Sequence, residues 1–358
     1  MNVYEMRYEN IKKILEEKQI DAILISNPYN MQYLSGFSGG TGYLYFSRSK
    51  RVVLTDSRYT IQAKEETDGF EVQQVEKKYM DLVADLVEQE QIKSIGFEGK
   101  DFLCYDLEQW KQALSSVNWH LLEDEISNFR IVKTVDELEK IKKAEAIGDL
   151  AFEKILSHIK PGVSELEIAA YLEFYMKQNG AEGLSFDTIV ASGINSSKPH
   201  AVPGRKKIEK GDFVTMDFGC IYQGYCSDMT RTVVVGKASQ EQKKIYQIVL
   251  NAQCAALEFI KAGYQGCEID SVARKLIKDA GYGNCFGHGL GHSVGLYIHE
   301  NPRLSPSEDS IIAENVVETV EPGIYIENFG GVRIEDLVVV TKDGCENYTK
   351  SPKHLIEL

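Results

Sequence analysis

The second half of the chain carries a weak internal repeat, and this repeat constrains the fold more than any other sequence feature. Six residues recur at a constant offset of 101 positions: Lys160, Gly162, Glu167, Ile168, Lys177 and Gly180 correspond to Lys261, Gly263, Glu268, Ile269, Lys278 and Gly281. Chance alone could give six identities between two amphipathic helices with glycine ends. However, each copy also leads from a helix pair into hairpin-like strands, at 213–235 and 316–341. The repeat therefore predicts an α+β domain with pseudo-twofold symmetry and a site between its halves.

The first part of the chain has a different pattern. Short apolar runs at 22–25, 52–54 and 94–97 alternate with helical patterns at 57–66, 79–89 and 102–114, which indicates an α/β domain. A capping box formed by Thr134 and Glu137 then begins a long helix that we expect to continue to Pro161-Gly162. Since 358 residues exceed the usual limit of a single hydrophobic core, we predict two domains, at 1–129 and 130–358.

Charge and composition exclude several classes of function. The chain has 54 acidic and 40 basic residues, and its net charge of −14 disfavours binding to nucleic acid or to anionic membranes. The N-terminus lacks the apolar core of a signal peptide, and no apolar run reaches the length of a membrane span. The 7 cysteines are scattered and form no C-x-x-C pair, which favours reduced thiols. We therefore expect a cytoplasmic protein.

Two aspartates lie in a predicted β-hairpin of the second half. Asp217 and Asp228 occupy strand-like runs on either side of a turn signal, Gln223-Gly224. If the hairpin centres between Tyr222 and Gln223, the two aspartates lie directly opposite, with Cβ atoms roughly 5 Å apart. Their charges then repel, and two cations about 3.5–4 Å apart would compensate them. The alternatives are two unrelated aspartates on a solvated face, or a bulge at Gly224 that shifts the register.

Histidines are concentrated in a glycine-rich segment at 287–295 and directly after it. His288, His292 and His299 lie there, and His200 is a fourth candidate. A single histidine is usually a satisfied core or surface group. Three imidazoles between 288 and 299, in a segment whose glycines allow close backbone approach, instead indicate a site.

Two glutamates complete the candidate set. Glu321 precedes Pro322, which holds it extended within a run apolar enough to be buried, and a buried carboxylate requires a partner or a metal. The run 331–340 alternates as a strand, which places Arg333 and Glu335 on one face. A surface ion pair between these two is the alternative. Oxygen donors with a single imidazole and no thiolate favour hard or borderline ions such as Mn²⁺.

The motifs at 216–219, 227–232, 288–299, 320–323 and 333–336 resemble those of the pita-bread metallopeptidases, which include aminopeptidase P, prolidase and methionine aminopeptidase. The resemblance covers nearly the whole chain. The segments 33–37 and 54–59 are similar to aminopeptidase P and its prolidase relatives, which disfavours the methionine aminopeptidase branch. The resemblance implies a creatinase-like α/β domain at 1–129 and a catalytic α+β pita-bread domain, with its pseudo-twofold repeat, at 130–358.

The resemblance also implies roles for individual residues. The implied metal ligands are Asp217, Asp228, His292, Glu321 and Glu335, with Asp228 and Glu335 bridging two divalent ions. Mn²⁺ is the expected metal, and Zn²⁺, Co²⁺ and Fe²⁺ are the other candidates. The implied catalytic and substrate-orienting residues are His200, His288, His299, Glu321 and Arg333, with Glu321 as the proton shuttle.

The activity implied first is that of an Xaa-Pro aminopeptidase, in which a hydroxide held by two metal ions attacks the carbonyl before proline. The alternative is a prolidase, which shares every metal ligand but accepts only Xaa-Pro dipeptides. A creatinase-like hydrolase acting without metal and a non-catalytic peptide-binding scaffold are remote alternatives, because no implied ligand is replaced. The expected partners are proline-containing peptides and a second copy of the chain in a homodimer.

Overall fold

The computed structural model describes residues 3–358, which divide into two compact units, Met1–Arg130 and Ile131–Leu358. Each unit has a hydrophobic core of its own. Within the described residues, no helix combines the length and the apolar character that crossing a bilayer requires.

The first unit is an α/β sandwich built on a six-stranded sheet. Its helices are α1 (Val3–Glu17), α2 (Pro28–Ser35), α3 (Thr60–Glu66), α4 (Tyr79–Glu90) and α5 (Cys104–Ala113). Its strands are β1 (Ala22–Ile25), β2 (Tyr43–Ser47), β3 (Arg51–Thr55), β4 (Glu71–Gln74), β5 (Ser94–Glu98) and β6 (Asn118–Leu122). They lie in the order β4-β3-β2-β1-β5-β6, with β2 antiparallel to both of its neighbours and the other pairs parallel. The predicted α/β class is confirmed.

The second unit contains two pairs of long helices, one for each copy of the repeat. They are α6 (Val135–Ile155), α7 (Glu165–Gln178), α8 (Gln240–Phe259) and α9 (Gly266–Asp279). The predicted capping box of Thr134 and Glu137 begins α6, but this helix ends at Ile155, before the Pro161-Gly162 at which we expected its end.

The repeated residues have equivalent structural roles, which explains why they recur. Glu167 and Glu268 are the third residues of α7 and α9, and each closes a capping box at the start of its helix. Gly162 and Gly263 have φ values of 91° and 95°, in the left-handed region that glycine adopts without strain. The repeat is therefore a repeat of helix boundaries, and the predicted α+β class with two related halves is confirmed.

The strands of the second unit form several small sheets. They are β7 (Gly183–Leu184), β8 (Ile189–Ser192), β9 (Phe213–Phe218), β10 (Cys220–Tyr222), β11 (Tyr225–Cys226), β12 (Met229–Val234), β13 (Gly291–Ser293), β14 (Glu300–Leu304), β15 (Val317–Val320), β16 (Gly323–Ile326), β17 (Gly330–Arg333), β18 (Asp336–Val340) and β19 (Cys345–Asn347). The sheet orders are β12-β9-β8, β14-β13-β15-β18-β19, β11-β10-β7 and β16-β17.

The run 331–340 differs from its prediction. It does not form one strand, because β17 pairs with β16 while β18 pairs with β15 in another sheet. Arg333 ends the first strand and Glu335 lies between the two. The expectation of a single strand is therefore wrong, but both side chains line the same cavity, as the prediction of a shared face requires.

Candidate metal centre

Three carboxylates from separate segments of the second unit lie close together. Asp217 lies in β9, Asp228 directly precedes β12, and Glu335 lies between β17 and β18. One side-chain oxygen from each lies within 4.8 Å of the others. Asp228 and Glu335 are buried, and Asp217 is half-buried. This is the arrangement expected of residues that share a cation rather than of separate surface acids.

The register of the β9–β12 hairpin differs from the predicted one. Asp217 pairs with Thr230, not with Asp228, so the prediction that the two aspartates lie directly opposite is wrong. The chain turns at Gln223 and Gly224, both with positive φ values of 48° and 82°, which is typical of a two-residue type I′ turn. The hairpin consequently centres one residue later than expected. Asp228 lies two residues before Thr230 and is thus a diagonal neighbour of Asp217 on the same face.

His292 and Glu321 flank the three carboxylates. The Nε2 atom of His292 lies 3.5 Å from Asp228 Oδ2 and 3.6 Å from Glu321 Oε1. The Nδ1 atom of the same ring lies 3.2 Å from the carbonyl oxygen of Ser293, which assigns the N–H to Nδ1 and a lone pair to Nε2. Burial lowers the pKa of His292 to about 3, so the ring is neutral. The Nε2 lone pair of His292 and the carboxylate oxygens face one another, as ligands around a cation do.

The carboxyl groups of the centre oppose one another's ionisation. Burial raises the pKa values of Asp228, Glu335 and Glu321 above their ordinary range, and neighbouring carboxylate charges raise them further. Asp217 Oδ1 is buried and has no hydrogen-bond partner within residues 3–358. A buried acceptor without a donor is costly, as are like charges at this spacing. Divalent cations would relieve both costs.

The donor set fits two such ions. Four carboxylates and one neutral imidazole surround the centre, and the residues that line it include no cysteine. Oxygen donors with one nitrogen suit hard or borderline divalent ions. Three of the carboxylates also have a supporting donor: Thr230 Oγ1 donates to Glu335 Oε2 at 2.6 Å, Thr319 Oγ1 to Glu321 Oε1 at 3.2 Å, and Arg333 Nη2 to Asp217 Oδ2 at 2.5 Å. Such partners orient metal ligands.

Arg333 connects the carboxylates to a second group of side chains. Its Nη1 atom donates to the Tyr325 hydroxyl at 2.8 Å, and this hydroxyl lies 3.0 Å from His288 Nε2. Burial, together with the charge of Arg333, lowers the pKa of His288 to about 4, so this ring is also neutral. His288 Nδ1 lies 2.8 Å from the carbonyl oxygen of Gly289. Both nitrogens of His288 are thus engaged. The alternative of an Arg333–Glu335 surface pair does not hold, because Arg333 forms a buried ion pair with Asp217.

A cavity of about 630 Å³ opens onto the centre. All of the predicted site residues line it: Asp217, Asp228, His292, Glu321, Glu335, His200, His288, His299 and Arg333. The imidazoles of His299 and His292 have ring centroids 4.5 Å apart. Neither His200 nor His299 forms a hydrogen bond with any other residue that the structure describes. These two rings are therefore available to a ligand in the cavity.

Several lining or supporting residues had no clear signal in the sequence. Arg303 pairs with His292 across β13 and β14, and its side chain lines the cavity. Phe186 and Ile189 also line the cavity, and Ile189 pairs with Asp217 of β9. Tyr325 contacts both His288 and Arg333. Contacts between separate sheets bring these residues to the site, and no local motif marks them.

Comparison with known proteins adds two family matches. The model of Metallopeptidase family M24 matches residues 139–342. The model of the Creatinase/Prolidase N-terminal domain matches residues 7–132. Every residue of the candidate metal centre lies within the first match.

Individual relatives cover the chain almost completely. An Xaa-Pro dipeptidase of Pyrococcus furiosus is 41% identical over 98% of this chain and 99% of its own length. The structure of an Xaa-Pro dipeptidase from Bacillus anthracis superposes with a TM-score of 0.96 at 43% identity, over 99% of this chain and 100% of that one. An X-Pro aminopeptidase from Thermotoga maritima gives a TM-score of 0.92 at 43% identity, over 98% and 99% of the two chains.

Proposed function

Because the chain belongs to metallopeptidase family M24, we propose that it is an Xaa-Pro dipeptidase, which cleaves the amide bond before proline in a dipeptide. The resemblance of the motifs alone favours the Xaa-Pro aminopeptidase, with the dipeptidase as the alternative. The relatives named as dipeptidases favour the second. The metallopeptidase class itself follows from the family.

The observation that carries the dipeptidase proposal is the environment of Arg303. Its half-buried side chain lines the cavity, and within residues 3–358 no carboxylate lies at ion-pair distance from its guanidinium. Arg333, the other arginine that lines the cavity, is already paired with Asp217. A dipeptide brings a free carboxylate close to the bond that is cut, and a guanidinium binds a carboxylate with two parallel hydrogen bonds.

Asp217, Asp228, His292, Glu321 and Glu335 would hold two divalent ions. We propose Mn²⁺ as the metal, with Zn²⁺, Co²⁺ and Fe²⁺ as the other candidates. Bound there, the ions would supply Lewis-acid chemistry, which polarises a carbonyl and makes water nucleophilic at neutral pH.

Residues of the chain perform the proton transfers. Glu321 accepts a proton from the attacking water, whose oxygen bonds to the carbonyl carbon before proline. The carbon–nitrogen bond then breaks, and Glu321 returns the proton to the proline nitrogen. His200 and His299, whose rings are free to donate, stabilise the oxyanion. Arg333 and Tyr325 hold Asp217 and His288 in place.

Substrates that differ only at the C-terminal end test this proposal. An Xaa-Pro dipeptide, its C-terminal amide and an Xaa-Pro-Yaa tripeptide would be compared with the wild type, Arg303→Gln and Arg303→Lys, all loaded with Mn²⁺. We expect the wild type to prefer the dipeptide. Arg303→Gln should lose about 10–100-fold in kcat/KM for the dipeptide alone, since a hydrogen bond to a charged group contributes about 1.5–3 kcal/mol. Arg303→Lys should retain part of this preference.

Two outcomes would contradict the dipeptidase. Equal hydrolysis of dipeptide and tripeptide by the wild type would favour the aminopeptidase, the name given to the Thermotoga maritima structure. An equal loss on all three substrates in Arg303→Gln would show that Arg303 does not bind the carboxylate. The homodimer and the cytoplasmic location stay predictions, and light scattering of the purified protein tests the first.

A further inference from the structure

A buried lysine that lines no part of the cavity contacts the segment that carries two of its histidines. Lys133, just before α6, is 3% exposed. Its ammonium donates to the carbonyl oxygen of Ile131 at 3.2 Å, to Ser293 Oγ at 3.0 Å and to Glu300 Oε2 at 3.2 Å. An ammonium has three donors, so all of them are used.

Two of the three partners of Lys133 directly follow histidines of the site. Ser293 follows His292, and Glu300 follows His299. Ser293 and Glu300 are also paired with each other across β13 and β14, at the point where the register of these strands shifts. One ammonium therefore fixes both ends of the loop 294–299.

The backbone of the loop 294–299 also packs against the carboxylate of Glu300. A Cβ atom at Gly295 would overlap the carboxylate of Glu300, so the backbone of the loop lies directly against this ion pair. The side chains of Lys133 and Glu300 are 2% and 3% exposed, which makes the pair part of the interior. A buried, fully bonded pair holds its neighbours more rigidly than a surface pair does.

A second buried carboxyl depends on the same cation. Glu318 lies on β15, paired with Ser293, and is completely buried. Neither of its side-chain oxygens has a hydrogen-bond partner within residues 3–358. Burial raises the pKa of Glu318, and the positive charge of Lys133 acts in the opposite direction. Loss of Lys133 would leave two buried carboxyls without this compensation.

We propose that Lys133 is a positioning residue for the metal centre: its ammonium holds Ser293 and Glu300 so that His292 faces the carboxylates and His299 faces the cavity. This inference rests on the proposed function of His292 as a metal ligand. Under this proposal, the affinity of the centre for metal depends on the Lys133–Glu300 ion pair, although this pair contacts no side chain of a proposed metal ligand.

Lys206 is a control with the same kinds of hydrogen-bond partner, and its side chain is more exposed, at 28% against 2% for Lys133. Lys206 donates to Ser192 Oγ at 2.9 Å, to the carbonyl oxygen of Lys207 at 3.3 Å and to Asp212 Oδ2 at 2.8 Å. It thus binds a hydroxyl, a carbonyl and a carboxylate, as Lys133 does, but it does not line the cavity. Both lysines are replaced by methionine, which keeps much of the side-chain length.

The experiment measures Mn²⁺ binding by isothermal titration calorimetry, dipeptide hydrolysis, and thermal unfolding of the metal-free protein. Lys133→Met should weaken Mn²⁺ binding about 10–100-fold, the range found for residues that support metal ligands, and should lower kcat more than it raises KM. Lys133→Arg should recover part of the affinity. Lys206→Met should lower the unfolding temperature but keep the Mn²⁺ affinity and kcat of the wild type.

The outcomes separate this inference from the proposed function. A wild type that binds no Mn²⁺ would contradict the metal centre itself. A wild type that binds Mn²⁺ with an unchanged affinity in folded Lys133→Met would overturn only the role of Lys133, as would equal losses in Lys206→Met. If Lys133→Met does not fold, Ser293→Ala removes one of the three contacts. Ser293→Ala should also weaken Mn²⁺ binding. An unchanged Mn²⁺ affinity in this variant overturns the inference.

Discussion

Both units of the molecule bury carboxylates, but the donors that surround these carboxylates differ. In the first unit, Glu98 is 3% exposed and accepts hydrogen bonds from the backbone N–H groups of Ser26 and Asn27, at 2.7 and 2.8 Å, and from Asn30 Nδ2 at 2.5 Å. In the second unit, Asp217, Asp228, Glu321 and Glu335 share few donors and lie close to one another. Burial alone therefore does not identify a metal site. What distinguishes the candidate site is that its neighbouring carboxylates have few donors.

The same contrast appears in the electrostatics. Burial raises the pKa of Glu98 to about 7, while its hydrogen bonds act to lower it. For Asp228 and Glu335, burial is again the largest cause, but the charges of neighbouring carboxylates add to it. The hydrogen bonds of Glu98 come from the protein, whereas we propose that cations compensate the second group.

The largest effect, on kcat, is expected from replacing a buried glutamate by glutamine. The same substitution can be made in both units. Glu321→Gln removes a proposed proton shuttle and ligand, and should lower kcat about 10³-fold, within the 10²–10⁴-fold range of acid–base catalysis. Glu98→Gln makes the same chemical change at a structural carboxylate and should leave kcat close to that of the wild type. Steady-state hydrolysis of an Xaa-Pro dipeptide measures both. A comparable loss in folded Glu98→Gln would remove the distinction between the two regions.

Metal removal should affect only one of the two regions. A ligand at 100 times its dissociation constant stabilises the native state by about 2.7 kcal/mol, so chelation should destabilise the second unit by roughly this amount. Hydrogen exchange followed by mass spectrometry should then show faster exchange in β9 and β12 and unchanged exchange in β1 and β5. Added Mn²⁺ should reverse the change. Uniform loss of protection across both units would contradict a local centre.

A smaller effect is expected from pH in the first unit. Since the folded-state pKa of Glu98 is raised to about 7 from 4.5, its contribution to stability is complete below about pH 4.5 and is lost as the pH rises through 7. The loss between pH 5 and 7 should be roughly 2 kcal/mol. Hydrogen exchange in β1 and β5, measured at several pH values with Mn²⁺ present, would detect it.

Glu98→Gln is the control, because it cannot titrate. This variant should show no such dependence on pH in the first unit. If the wild type and Glu98→Gln respond identically, the pH dependence arises from another group.

Local patterns predicted most elements of the first unit because each depends on nearby residues. The strand at Ala22–Ile25 and the helix from Tyr79 lie where the apolar periodicity placed them. The helix expected from 57 begins instead at Thr60. The reason is local, because Asp56 Oδ1 accepts the N–H of Arg58 and forms a turn there.

The candidate site was predictable in its members but not in its connections. Each proposed ligand lies in a recognisable motif, and all of them line one cavity. The hairpin register was missed because it requires a positive φ at Gln223, which glutamine does not signal. The contact of Tyr325 with Arg333 and the position of Arg303 depend on how separate sheets pack together. Periodicity within one strand carries no information about such packing.

The smallest effect tests a single hydroxyl in each region. Thr230 and Thr55 are both completely buried. Thr230 Oγ1 donates to Glu335 at 2.6 Å and accepts from Arg333 Nε at 3.0 Å, while Thr55 Oγ1 donates to the carbonyl oxygen of Thr41 at 2.9 Å. Replacement of either threonine by valine keeps the shape and removes about 1 kcal/mol of hydrogen bonding.

The lost hydrogen bonding should affect a different measured property in each of the two valine variants. In Thr230→Val it should appear as Mn²⁺ binding about fivefold weaker, because about 1 kcal/mol of support for a metal ligand is gone. In Thr55→Val it should appear only as lower stability of the first unit, with Mn²⁺ affinity unchanged. Calorimetric titration and hydrogen exchange distinguish the two cases. Equal Mn²⁺ affinities in both variants would mean that Glu335 needs no orienting donor. The charges that neighbour a metal-binding carboxylate would then matter more for metal affinity than the hydrogen-bond donors around that carboxylate.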